Sequence, residues 1–139
     1  MKKQKGQILI EFALILPFFL LFVFGIIYCG MMFYDYSQLQ NVARQAARER
    51  ATHSMELTNE EIRSHYFDDD TYKYKTAFMT NMYRPAQSRP LEISMEGTNA
   101  MVEINAVLSA HAPIVEQVAV KQFRIIYQMK KDVDEPSDG

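Results

Sequence analysis

Cysteine, glycine and excess positive charge are all scarce in this sequence, and each scarcity excludes something. The one cysteine, Cys29, leaves no possible disulfide inside the chain. Five glycines supply no glycine-rich phosphate loop. His53, His65 and His111 stand singly, with no HExxH, paired-cysteine or nucleophile-elbow spacing around them, so neither an enzyme signature nor a cofactor or metal motif is present. The formal net charge is −2, and beyond residue 34 twelve Lys/Arg face sixteen Asp/Glu, a net of −4 once Lys2, Lys3, Lys5 and Glu11 are set aside. That balance argues against a nucleic-acid partner, which calls for a basic face.

Charge of either sign is absent from Phe12 to Tyr34. A mean hydropathy of −0.20 conceals this uneven distribution. The run of 23 residues makes roughly 34 Å of helix, enough to cross a bilayer core of about 30 Å. It is too long for a cleaved secretory signal, and Met31-Met32-Phe33-Tyr34-Asp35 offers no small-residue exit site. Tyr28 is too bulky to precede a lipid-bearing cysteine at Cys29. A plain single-span anchor, residues 7–34, fits this length.

Glu11 complicates the plain anchor. A carboxylate at the mouth of a spanning helix is costly unless it is hydrated in the headgroup layer or meets a partner. It belongs to a local pattern: a basic leader Lys2-Lys3-Gln4-Lys5, then Gly6, then Gln7-Ile8-Leu9-Ile10, then Glu11-Phe12. This pattern resembles a class III signal peptide, the leader removed by prepilin peptidases. The resemblance implies a cut between Gly6 and Gln7, which leaves the span attached and makes Glu11 the fifth residue of the mature chain. Cleavage creates an α-amine on Gln7 that a neighbouring subunit's carboxylate can neutralise, and such a contact is stronger in a low-dielectric bundle than in water. A protease holding extended backbone closely at the cut gives Gly6 a purpose.

The stretch Gly6-Gln-Ile-Leu-Ile-Glu11-Phe12-Ala13-Leu14-Ile15-Leu16-Pro17 resembles the opening of TadE-like proteins, pseudopilins of the tight-adherence (Tad) pilus system. A second patch, Gln38-Leu39-Gln40-Asn41-Val42-Ala43-Arg44-Gln45-Ala46-Ala47-Arg48, matches that family's stem motif at Asn41, Arg44 and Arg48. Gln7, where type IVa pilins begin with Phe, fits the Tad branch better. The resemblance implies a minor pseudopilin that works with a prepilin peptidase, a major pilin, other minor pseudopilins and inner-membrane platform proteins.

Lys2, Lys3 and Lys5 on one flank and Asp35 on the other place the N-terminus in the cytoplasm by the positive-inside rule, although Arg44, Arg48 and Arg50 dilute the signal. Pro17 removes a helical hydrogen bond, either as a plain kink or as a place to bend on leaving the bilayer. Gly25 and Cys29 offer either a small helix-contact face or ordinary packing. Leu39, Val42, Ala43, Ala46, Ala47 and Arg50 continue an i, i+3, i+4 stripe, so one helix from about Gln7 to Ala51 is expected, with the stem reaching residue 57.

In the head, residues 58–129, Thr58-Asn59-Glu60-Glu61 reads as a helix start. Tyr72, Tyr74, Phe78, Met79, Met82 and Tyr83 fit a second amphipathic helix whose stripe is either core or a binding surface. Asp68-Asp69-Asp70 lacks the alternation of a calcium loop and reads as a solvated turn. Pro85 and Pro90 mark a linker. Leu91–Glu96, a turn at Gly97-Thr98-Asn99 and Ala100–Ser109 form a hairpin, and Val118–Met129 a third strand whose phase slips near Lys121-Gln122. The tail, residues 130–139, reads as disordered. The expected fold is therefore α+β: a long transmembrane and stem helix, then a small pilin-like head with a short helix and about three antiparallel strands. Two rivals remain: an unprocessed membrane-anchored binding module facing outside the cytoplasm, and an anchored enzyme of unfamiliar type.

Overall fold

The structure is a computed structural model that describes residues 2–53, 56–76, 79 and 80, 82–109 and 121–131, with side chains considered from Gly6 onward. Helix α1 (Lys2–Thr52) runs without interruption through Pro17. It is followed by α2 (Asn59–Tyr66), β1 (Phe67–Asp68), β2 (Lys73–Tyr74), β3 (Tyr83–Pro85), β4 (Leu91–Glu96), β5 (Asn99–Leu108) and β6 (Gln122–Lys130). The α+β architecture, with a stem helix and an antiparallel head, is as the sequence predicts.

Two halves of α1 live in different surroundings. From Gly6 to Phe22 every side chain is exposed, as a lipid-facing segment requires. Beyond Asp35 one face is buried: Leu39, Ala43, Ala46 and Ala47 are fully covered, Val42 and Ala51 nearly so. Ala51, not Arg50, closes this stripe. Arg50 turns aside, and its Nη1 donates to the Leu57 carbonyl at 2.7 Å. Alanine at three of the central positions lets the sheet approach the helix backbone closely.

The sheet brings alternate residues to that face. Ala100, Val102, Ile104 and Ala106 of β5 are fully buried, with Leu91 and Ile93 of β4 and Ile125 of β6 beside them. β4 and β5 pair in register from Leu91↔Ile104 to Glu96↔Asn99, closed by a two-residue turn. Gly97 takes φ +63 there, a left-handed value that favours glycine. β6 pairs along the other edge of β5 from Gln122 onward. The phase slip at Lys121-Gln122 is thus a late strand start. Lys130 belongs to β6, and the rest of the predicted tail beyond Lys131 lies outside the described residues.

None of the described residues in 72–83, where a second helix is expected, is helical. α2 begins where predicted: the Thr58 hydroxyl accepts from the Glu61 amide, and the Glu61 carboxylate accepts from the Thr58 amide, a complete capping box. It ends at Tyr66, and the chain then turns back so that Phe67 pairs with Tyr74 and Asp68 with Lys73. Tyr72 at φ +51 makes that reversal. The aromatic spacing serves edge-to-face packing of Phe67 against Tyr72 and Tyr74, with centroids 5.3 and 5.4 Å apart. Tyr74, Met82 and Tyr83 are core residues, as one of the two readings held, while Phe78 lies outside the described residues. Pro85 ends β3, which pairs with Ala106–Leu108 on the same edge of β5 that β4 occupies further along. Residues 86–90, the expected linker, connect β3 to β4 in a loop held opposite Asn105.

Replacing fully buried Ala46 by Leu forces volume into this contact. It should destabilise the detergent-solubilised chain by about 1–3 kcal/mol, read as a lower midpoint in denaturant.

Candidate functional site

The residues singled out at the N-terminus lie on one exposed face. Gly6, Gln7, Ile10, Glu11 and Leu14 share a shallow surface on α1, with Gln7 and Glu11 one turn apart. Glu11 makes no hydrogen bond or ion pair among the described residues, and Phe12 is 62% exposed. The Gly6–Gln7 bond lies inside the helix, so a protease could reach it only after local unwinding. A Cβ built on Gly6 would meet nothing within 4 Å, so packing within the chain gives no reason for a glycine there.

The stem-motif residues divide by role. Asn41 and Arg48 are exposed on the side of α1 away from the sheet. Arg44 reaches the head, its guanidinium 5.9 Å from the Tyr127 ring centroid. Further along, Glu49 joins the stem to α2. Its Oε1 lies 2.8 Å from His65 Nδ1, and it faces the Tyr66 phenol, whose pKa is pushed up to about 12 by burial and then by Glu49.

Asp35 is the residue whose role sequence reasoning missed. Read there only as the first charge past the span, it is fully buried. One carboxylate oxygen accepts from the Thr80 amide at 2.7 Å, and the other from Met82 at 2.9 Å and Tyr83 at 3.3 Å. These are charge-assisted bonds, and they satisfy amides at the entry to β3 that burial would otherwise orphan. Tyr83 then stacks edge-to-face on Phe123, 4.6 Å between centroids, and Phe123 meets Tyr36 at 5.1 Å. Burial, and then the Asp35 charge, raise the Tyr83 phenol above its ordinary pKa. A signal was available in the sequence: Asp35 has no Lys or Arg one helical turn away on either side, so its partner had to come from elsewhere in the chain.

Other polar groups stiffen the head. Burial pushes the Tyr74 phenol up, and its hydroxyl lies 2.7 Å from the Pro90 carbonyl and 3.0 Å from that of Asn105. Asp68 caps its own turn, accepting from the Thr71 hydroxyl at 2.6 Å, while Asp69 pairs with Arg63 at 2.7 Å. The acidic triplet therefore forms a turn, and no cluster of three metal-ligating side chains occurs among the described residues. Cys29 is exposed on the span.

Asp35→Asn keeps the shape but sets an amide nitrogen against backbone donors. Each amide left unpaired costs about 1–3 kcal/mol. Faster hydrogen exchange at Thr80, Met82 and Tyr83, with the β4–β5 hairpin amides unchanged, is the expected result.

Residues 6–48 match the family model described as TadE-like protein, so this stretch is similar to the N-terminal part of such proteins. The match covers about a third of the chain and ends before the head. No curated protein and no solved structure matches the chain. With the TadE-like match, the 47-residue helix from Gly6 to Thr52, long and apolar enough to cross a bilayer, marks the chain as membrane-anchored.

Proposed function

We propose that this TadE-like chain is a minor pilin-like subunit that takes part in assembling a Tad-type pilus after a prepilin peptidase removes residues 1–6. The observation that carries the reading is the unexplained pair at the start of α1. Among the described residues, Gly6 packs against nothing and Glu11, a carboxylate opening an apolar helix, has no partner. Neither residue is accounted for by the fold of a single copy. Both acquire a purpose if Gly6 admits a peptidase and Glu11 meets the new Gln7 amine of a neighbouring subunit in a bundle of low dielectric.

The N-terminus then faces the cytoplasm, the head lies outside it, and the anchor is that of the inner membrane. Asn41 and Arg48 face away from the chain's own head and are free to meet other stems, whereas Arg44 is shared with Tyr127. The working partners are the peptidase, the major pilin, other minor pseudopilins, platform proteins and lipid. In this reading the role is structural. An unprocessed anchored binding module leaves Gly6 and Glu11 without a reason.

Gly6→Phe expressed beside an active prepilin peptidase should keep its leader, as read by N-terminal sequencing. Glu11→Ala should be cleaved yet recovered in the membrane with little or none in sheared pili. Normal cleavage of Gly6→Phe, or normal assembly of Glu11→Ala, would contradict the role given to that residue.

A further inference from the structure

The head sheet ends in two edges of opposite charge. Among the described residues, β6 pairs only with β5, and β4 likewise pairs only with β5. The Lys121 carbonyl accepts from Leu108 and the Lys131 amide donates to Thr98. Alternation along the ladder then turns the N–H and C=O groups of Gln122, Arg124, Ile126, Gln128 and Lys130 toward the open side. Among the described residues, β6 has no proline, no break in register and no charge on its stem-facing side, so its protection against edge pairing is the positive charge of its outer face. Residues 121–131 carry Lys121, Arg124, Lys130 and Lys131 and no acid, whereas β4 carries Glu92 and Glu96 and no base. Arg124 leans on Glu103 of its own sheet and Glu92 pairs with Arg89 at 3.5 Å, but Lys130 and Glu96 have no partner among the described residues.

Shared anchoring limits how copies can meet. Tyr36 touches Phe123 and Arg44 reaches Tyr127. Eight helical residues cover about 12 Å and four strand residues about 13 Å, so β6 runs nearly along the stem. Pairing β6 with β6 about a two-fold axis would reverse one stem and is incompatible with two helices inserted the same way in one bilayer. Pairing β4 of one copy with β6 of the next keeps the stems co-directional, because both strands run antiparallel to β5.

We propose that the open edge of β6 accepts β4 of a second copy as a parallel added strand, so that heads join side by side in a continuing sheet. The register follows from equal depth in the membrane. Glu92 and Ile126 both face Glu103 across β5, so they lie level. A lateral step therefore sets Glu92 beside Ile126, Ser94 beside Gln128 and Glu96 beside Lys130, with Arg124 diagonal to Glu92 within reach of a long side chain. Backbone parity agrees: β6 offers its even-numbered residues and β4 the odd-numbered Leu91, Ile93 and Met95, the combination a parallel ladder needs. The contact is head-to-tail and open-ended, which suits a growing assembly. It rests on anchoring in a common bilayer and not on leader removal.

The test uses the full chain carrying Cys29→Ala in phosphatidylcholine vesicles under mild oxidation. Ser94→Cys with Gln128→Cys in one chain should give a ladder of dimers, trimers and higher species on a non-reducing gel. Two strand spacings, about 10 Å, keep these positions from bridging within one copy. An equal mixture of the two single variants should stop at the dimer, and each alone should stay monomeric. Lys130→Glu added to the double variant should lose most of the ladder, and Glu96→Lys in the same chain should restore it. A double variant that stays monomeric with unchanged circular dichroism, or Gln128→Cys dimerising alone, would overturn the proposal.

Discussion

Asp35 marks the point where one continuous helix changes its surroundings from lipid to protein, and the placement of the head depends on it. Its carboxylate is fully buried and gathers the amides of Thr80, Met82 and Tyr83. A buried charge is costly unless paired or hydrogen-bonded, and here three donors supply that compensation. The bonds pin the entry to β3 against the last turn of the apolar run. Tyr83, Phe123 and Tyr36 then stack outward from this point, so the head begins directly at the end of the span, with no flexible spacer.

From that fixed point the small residues of the stem take over. Ala43, Ala46 and Ala47 leave room for β5 to lie on the helix, and the buried alternation of Ala100, Val102, Ile104 and Ala106 fills it. The second half of α1 thus serves as the core helix of the head, while the first half, from Phe12 on, presents an exposed apolar surface. In the proposed assembly, this construction would let the chain present its stem to other stems and its sheet edges to other heads without rearranging its core.

Much of this was legible in the sequence because the signals are periodic or local. The long apolar helix follows from its length, and the β4–β5 hairpin from strict alternation around Gly97. The start of α2 shows itself in a capping box four residues long. The misses are non-local. Asp35 meets residues 45 to 48 positions away, a distance no window of sequence reports. The aromatic spacing from Tyr72 to Tyr83 fits a helical stripe equally well, and only the left-handed Tyr72 and the packing around Phe67 decide for extended chain. β3 was hidden by Pro85, which reads as a strand breaker but sits at the strand's end.

The central claim, that the chain is a processed pilin-like subunit and not a tethered module, meets its most direct test in the intact mass of the unmodified chain. The chain would be purified from membranes of cells that express an active prepilin peptidase and from cells that lack it. A mass lower by Met1 to Gly6 only where the peptidase is active is the predicted result. A full-length mass in both would contradict the account.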